Sequence, residues 1–182
     1  MSSRIARLVA SYQRHIELPW QAGLAGVQKV IFVVYDKTDE LKIRYQEGEF
    51  ENATLSADHK WSQVDITEEF PKWMAAQEYR EGYFEYPEDL QDILSEFTAT
   101  VVDRINEVLQ GADENTVVAI KGVAGLYGFS HTSEVLGAVA NNIRGRLLVF
   151  FPGEYDQNNY RLLDARPGWN YQAVPITAGD AL

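Results

Sequence analysis

The stretch whose residue types and spacing come nearest to a chemical site is Lys121-Gly122-Val123-Ala124-Gly125-Leu126-Tyr127-Gly128. Three glycines between a predicted strand and a predicted helix could turn backbone amides and a helix N-terminus toward a phosphate. A phosphate-binding loop needs Gly-x-x-x-x-Gly-Lys followed by Ser or Thr, whereas here Lys121 precedes Gly122, Gly125 and Gly128. The Gly-x-x-Gly-x-x-Gly spacing also differs from the dinucleotide fingerprint, and the competing reading is that the glycines let a helix and a strand pack closely. Just beyond, Gly128-Phe129-Ser130-His131-Thr132 lacks the second glycine of a nucleophile elbow, and Ser130 lies ten residues after Ile120, too far for that turn. Ser130 is expected to cap a helix instead.

The remaining chemistry-bearing residues are sparse. Glu154 and Asp156 follow a predicted strand and could offer oxygen ligands to a divalent ion, or simply form ion pairs and turn hydrogen bonds. Arg161, Asp164 and Arg166 could form an intramolecular network pinning a hairpin. The chain has no cysteine, which excludes disulfides, thiol catalysis and Cys-based zinc sites, and its three histidines (His15, His59, His131) are scattered. No catalytic residue, metal site or cofactor emerges from this search.

Charge is more informative. Sixteen Lys and Arg against 27 Asp and Glu give a net charge of −11, which argues against a direct grip on nucleic-acid phosphates. From Asp65 to Glu96 ten acids face only Lys72 and Arg80, a net of −8, while residues 1 to 16 carry Arg4, Arg7 and Arg14 and no acid. The acidic run surrounds an aromatic connector, Tyr79-Arg80-Glu81-Gly82-Tyr83-Phe84-Glu85-Tyr86, followed by Glu88. It reads either as a solvated face or as a surface that docks a partner through Tyr79, Glu81, Tyr83, Phe84, Glu85, Tyr86 and Glu88.

The elements that must position these residues follow from periodicity. Ile5, Leu8, Val9, Tyr12 and Ile16 make one face of an amphipathic helix, stopped by Pro19. Val27 to Tyr35 becomes continuously apolar and suits a central strand. A weaker helix over Asp36 to Lys60, interrupted by Gly48, precedes a short strand from Ser62 to Ile66. Thr67 is expected to cap a helix carrying Phe70, Trp73 and Met74, and a long helix is expected to begin at Pro87 and end at Gly111. Thr116 to Ile120 and Arg146 to Phe151 read as buried strands, the second ended by Pro152-Gly153. Tyr160 to Asp164 and Asn170 to Ile176 suit an antiparallel hairpin around Arg166-Pro167-Gly168-Trp169, where a type II turn fits. The pattern predicts one three-layer α/β domain over residues 1–182, with a mostly parallel central sheet flanked by helices and a C-terminal antiparallel hairpin. No stretch approaches the ~20 apolar residues of a membrane span, and no signal-peptide core is visible, so a cytoplasmic protein is expected.

The C-terminal run containing Pro152, Gly153, Asn159, Arg161, Asp164, Arg166 and Trp169 resembles the BrxB family of the BREX (bacteriophage exclusion) defence systems. Leu18-Pro19-Trp20, Trp73-Met74-Ala75-Ala76-Gln77-Glu78-Tyr79-Arg80 and Arg144-Gly145-Arg146 continuing to Gly153 fit the same family. The resemblance implies a role in blocking phage DNA replication beside a PglZ-like protein of the alkaline-phosphatase family, a PglX-like methyltransferase and a BrxC-like ATPase. It transfers no catalytic motif. A non-enzymatic adaptor that docks these proteins, with nucleic acid reached only indirectly, is the leading expectation; a nucleotide-binding domain with an altered phosphate loop is the alternative.

Overall fold

The computed structural model describes residues 3–165 and 168–179. Five parallel strands form the central sheet in the order β2-β3-β4-β1-β7: β1 (Val30–Tyr35), β2 (Lys60–Asp65), β3 (Thr116–Lys121), β4 (Arg146–Asp156) and β7 (Val174–Ile176). The apolar runs sit where both sheet faces are covered, β1 between β4 and β7 with every residue buried. Lys60–Asp65, in which only Val64 is buried, lies at the edge.

Successive residues of β1 feed two separate cores, as the period of two requires. Val30, Phe32 and Val34 face α3 (Glu69–Ala75), α5 (Leu94–Gln110) and α6 (Thr132–Val139). Ile31, Val33 and Tyr35 face α1 (Arg4–Ile16) and α2 (Glu40–Ser56). The chain steps outward from β1 to β2 with α2 on one face, then returns through β3 to β4 with α3, α5 and α6 on the other. That arrangement gives these three helical crossovers the same hand, as parallel βαβ units require.

In α1 the apolar face packs as expected, with Ile5, Leu8, Tyr12 and Ile16 buried. Tyr12 bonds the Thr54 hydroxyl at 2.7 Å, fastening α1 to α2, and burial raises its phenol above the ordinary range. Asp39 is also buried, and it is balanced by Arg4 at 2.8 Å and Lys42 at 2.7 Å.

Several local expectations are corrected. Residues Gly26–Lys29 form a 3₁₀ turn, so the strand starts only at Val30. Lys60 belongs to β2, not to the preceding helix. Thr67 does not cap α3; its amide and hydroxyl instead donate to Asp65. Pro87–Ile93 is a 3₁₀ segment with no buried residue to fix an α-helix, which begins at Leu94. Ser130 bonds the Thr98 hydroxyl at 2.7 Å and leaves the cap position of α6 to His131.

The largest correction concerns Pro152-Gly153, which does not end β4. By that point the ladder to β3 has finished at Ile120↔Val149, so the missing proline N–H interrupts no bond to β3. β4 then changes partner and pairs antiparallel with β5 (Asn159–Leu162), and Leu163 N–H donates to the Pro152 carbonyl at 2.9 Å. Gln157 and Asn158, at φ 45° and 67°, make the two-residue turn between Asp156 and Asn159. β5 pairs with β6 (Trp169–Asn170), the antiparallel C-terminal addition expected, but Val174–Ile176 leaves the hairpin to run parallel beside β1. Pro167 and the proposed type II turn lie outside the described residues.

At the opposite end of the sheet, the Lys60 ammonium, the Thr116 hydroxyl and the Asn115 amide hold the Asp113 carboxyl at about 2. A depressed carboxyl stabilises the fold above its unfolded value and loses that contribution as pH falls through the folded value. The thermal midpoint is therefore expected to drop between about pH 4 and 2, and less steeply in Asp113→Asn.

Candidate functional site

The expected docking segment lies at the margin of one core. Between Met74 and Phe97 no residue is buried, although the chain folds into α4 (Arg80–Glu85) and the 3₁₀ segment Pro87–Ile93. Arg80 donates to the Ala75 carbonyl at 2.9 Å, tying the start of α4 to the end of α3. Tyr83 packs inward against the core, so the short helix has a fixed inner side. Tyr79, Phe84 and Tyr86 are 70%, 69% and 52% exposed, and Glu81, Glu85 and Glu88 are exposed among them. A run of exposed rings ringed by carboxylates exceeds what scattered surface apolar residues require.

Lys121, Gly122, Gly125 and Gly128 lie at the carboxyl end of β3, where open α/β sheets place ligands. Several amides of this loop are already committed: Gly125 to Gly122 at 2.9 Å, Tyr127 to Ala124 at 3.1 Å, and Phe129 and Ser130 both to Leu126 at 2.9 Å. Gly122 is left-handed at φ 87°, and a Cβ there would overlap Thr67; at Gly125 it would lie 3.2 Å from the Thr67 carbonyl. The close approach is to the turn after β2, not between a helix and a strand, and a Cβ on Gly128 would meet nothing within 4 Å. Lys121 itself reaches Glu47 of α2 at 2.8 Å.

Beside it runs a polar chain that sequence spacing did not disclose. Tyr35 donates to Glu40 at 2.5 Å, Arg44 donates to the same carboxylate at 2.8 Å and to Thr67 at 3.4 Å, and Thr67 donates to Asp65 at 2.6 Å. Burial and the Glu40 bond push the Tyr35 phenol up. Burial alone would raise Asp65, but the Thr67 hydroxyl and amide, with Lys121 and Arg44, hold it below the usual value. Most of the donors are spent inside the chain, so the arrangement fastens α2 across the strand ends.

The family-like C-terminal residues hold the hairpin to the sheet. A Cβ on Gly153 would overlap the Arg161 carbonyl, which explains the glycine where β4 changes partner. Arg161 pairs with Glu154 and Asp164 with Lys37. Asn159 opens β5 and Trp169 joins a ring cluster with Phe32, Phe151 and Tyr160. Arg166 lies outside the described residues. Among the described residues no group of three or more His, Asp or Glu could hold a metal ion.

A cleft of about 410 Å³ opens beside α6, where Thr98, Tyr127, Ser130, Thr132 and Trp169 contribute to its wall. His131 is exposed there, His59 stacks on Trp20 at 3.8 Å, and burial, aided by the Arg146 charge, lowers the pKa of His15. His131 lies at the cleft, whereas His15 and His59, the latter through Trp20, both adjoin Arg146.

These features define a parallel-sheet α/β domain with helices on both faces, an interlocked polar chain over its strand ends and an exposed acidic-aromatic segment. The family model of the BREX protein BrxB matches residues 62–176, more than half of the chain, and the chain belongs to that family. It is a BREX phage-defence component. No curated protein and no solved structure matches it. Among the described residues no helix is long and apolar enough to cross a membrane.

Proposed function

We propose that this chain is a non-enzymatic assembly subunit that docks other BREX proteins through Tyr79–Glu88, with the PglZ-like protein as its first partner. The observation that carries the reading is the segment itself: three rings more than half exposed, interleaved with acids, on a stretch where no residue is buried. Aromatic side chains that exclude water on docking supply most interface energy, and the surrounding carboxylates select a basic partner surface and speed encounter. Nucleic acid is reached only through such partners, since the chain carries −11. Mixing the purified chain with each BREX protein at moderate salt is expected to give co-elution with the PglZ-like protein. Separate elution from all of them contradicts the adaptor role.

A further inference from the structure

Two charged side chains are buried among the described residues, Asp39 at 2% and Arg146 at 8% exposure, and they are provided for in opposite ways. Asp39 has two cations within 2.8 Å. Arg146 has no carboxylate within ion-pair distance among the described residues. Its Nη1 donates to the Gly145 carbonyl at 3.0 Å, and its guanidinium carbon lies 4.6 Å from the centre of the Trp20 ring. Trp20 is backed by His59, itself bonded to Asn115 at 2.6 Å, so the flat side of the guanidinium rests on a fixed stack. The neighbouring cations at this end of the sheet are engaged: Lys29 with the Ile143 carbonyl, Lys60 with Asp113, and Arg144 with Glu114.

The guanidinium keeps its charge and offers five N–H donors in a planar fork; one carbonyl takes only one of them, and the rest are not buried without a partner but open to water or to a ligand. The ring stack satisfies the face of the cation and not its edge. Burial lowers the pKa of Arg146 with no carboxylate pulling it back, and the same charge helps keep His15 neutral. We infer that the edge of Arg146 is a binding site for a carboxylate. One guanidinium beside a neutral histidine balances a single negative charge, and two carboxylate oxygens match its fork. A phosphate dianion would bring a second charge, for which Lys29 would have to leave the Ile143 carbonyl, or Lys60 or Arg144 its carboxylate. The ligand is a free small acid or an acidic side chain on a neighbouring protein, both presenting the same group.

The test uses the full chain at pH 7 and constant ionic strength, with chloride replaced stepwise by acetate, N-acetylglutamate amide or sulfate. Acetate is expected to raise the thermal midpoint saturably and to move the Arg146 Nε–Hε NMR signal over the same concentrations. Arg146→Met should lose the response, whereas Trp20→Leu, which keeps the charge, should retain it. A matching response to N-acetylglutamate amide identifies a side-chain carboxylate as an admissible source; a response to acetate alone restricts the site to free acids. An Arg146 signal unmoved by acetate, an equal response to sulfate, or a midpoint shift shared by Arg146→Met overturns the inference. If Arg146→Met does not fold, the wild-type signal decides.

Discussion

Phe32→Ala is expected to cost about 3–5 kcal/mol of stability, near the upper end for a single core substitution. Phe32 is fully buried in β1, with ring centres of Tyr160 at 4.5 Å, Phe151 at 5.1 Å, Tyr171 at 5.7 Å and Trp169 at 6.5 Å. It therefore joins the central sheet to the β4–β5–β6 addition, and a cavity there loosens both. Tyr160 fixes the other side of the cluster by donating to the Ala173 carbonyl at 3.0 Å, so the rings have little freedom to collapse inward. Urea unfolding checks the value. A loss below about 1 kcal/mol, far under the usual range for such a truncation, would mean that the hairpin shifts to fill the space.

Removing the exposed rings should have the opposite profile. Tyr79→Ala combined with Phe84→Ala is expected to weaken binding to the PglZ-like protein by about 30- to 1,000-fold, the span of 2–4 kcal/mol typical of interface anchors. Stability should change by no more than about 0.5 kcal/mol, because neither ring supports a core. Reversing Glu81, Glu85 and Glu88 to lysine should mainly slow association and flatten its salt dependence. A titration monitored by calorimetry or interferometry separates the two effects, and an unchanged affinity in the double-alanine variant removes the rings from the interface.

How much of this was legible in the sequence depends on how local the cause is. β1 and Leu147 to Phe151 of β4 are apolar throughout, and burial on both faces leaves no other use for such runs. The three residues of β7 are too few for a pattern, and their place beside β1 is set by tertiary pairing. Pro152-Gly153 carries a strong stop signal, yet β4 continues because its partner on that side changes at that point. Thr67 has the chemistry of a cap, but its side chain is turned back to Asp65, and α3 starts only at Glu69, with Glu68 in the cap position.

The candidate site divides in the same way. The acidic-aromatic character of Tyr79–Glu88 is composition and can be read directly, whereas the inward turn of Tyr83 beside outward Phe84 depends on the packing of α4. Arg146 and Trp20 are far apart in the chain and meet because the connection from α1 enters β1 beside the start of β4, so neither spacing nor motif signals their contact. The charge polarity is likewise partly consumed by folding: Arg4 is bound to Asp39, while the acids of Tyr79–Glu88 remain at the surface.

The most direct test of docking is hydrogen–deuterium exchange of the full chain, alone and mixed with the PglZ-like protein. Protection is expected to concentrate in residues 79–88, with the two cores unchanged. Protection confined to another surface, or none at concentrations where the proteins are mixed in excess, would contradict the assignment of this segment as the docking site.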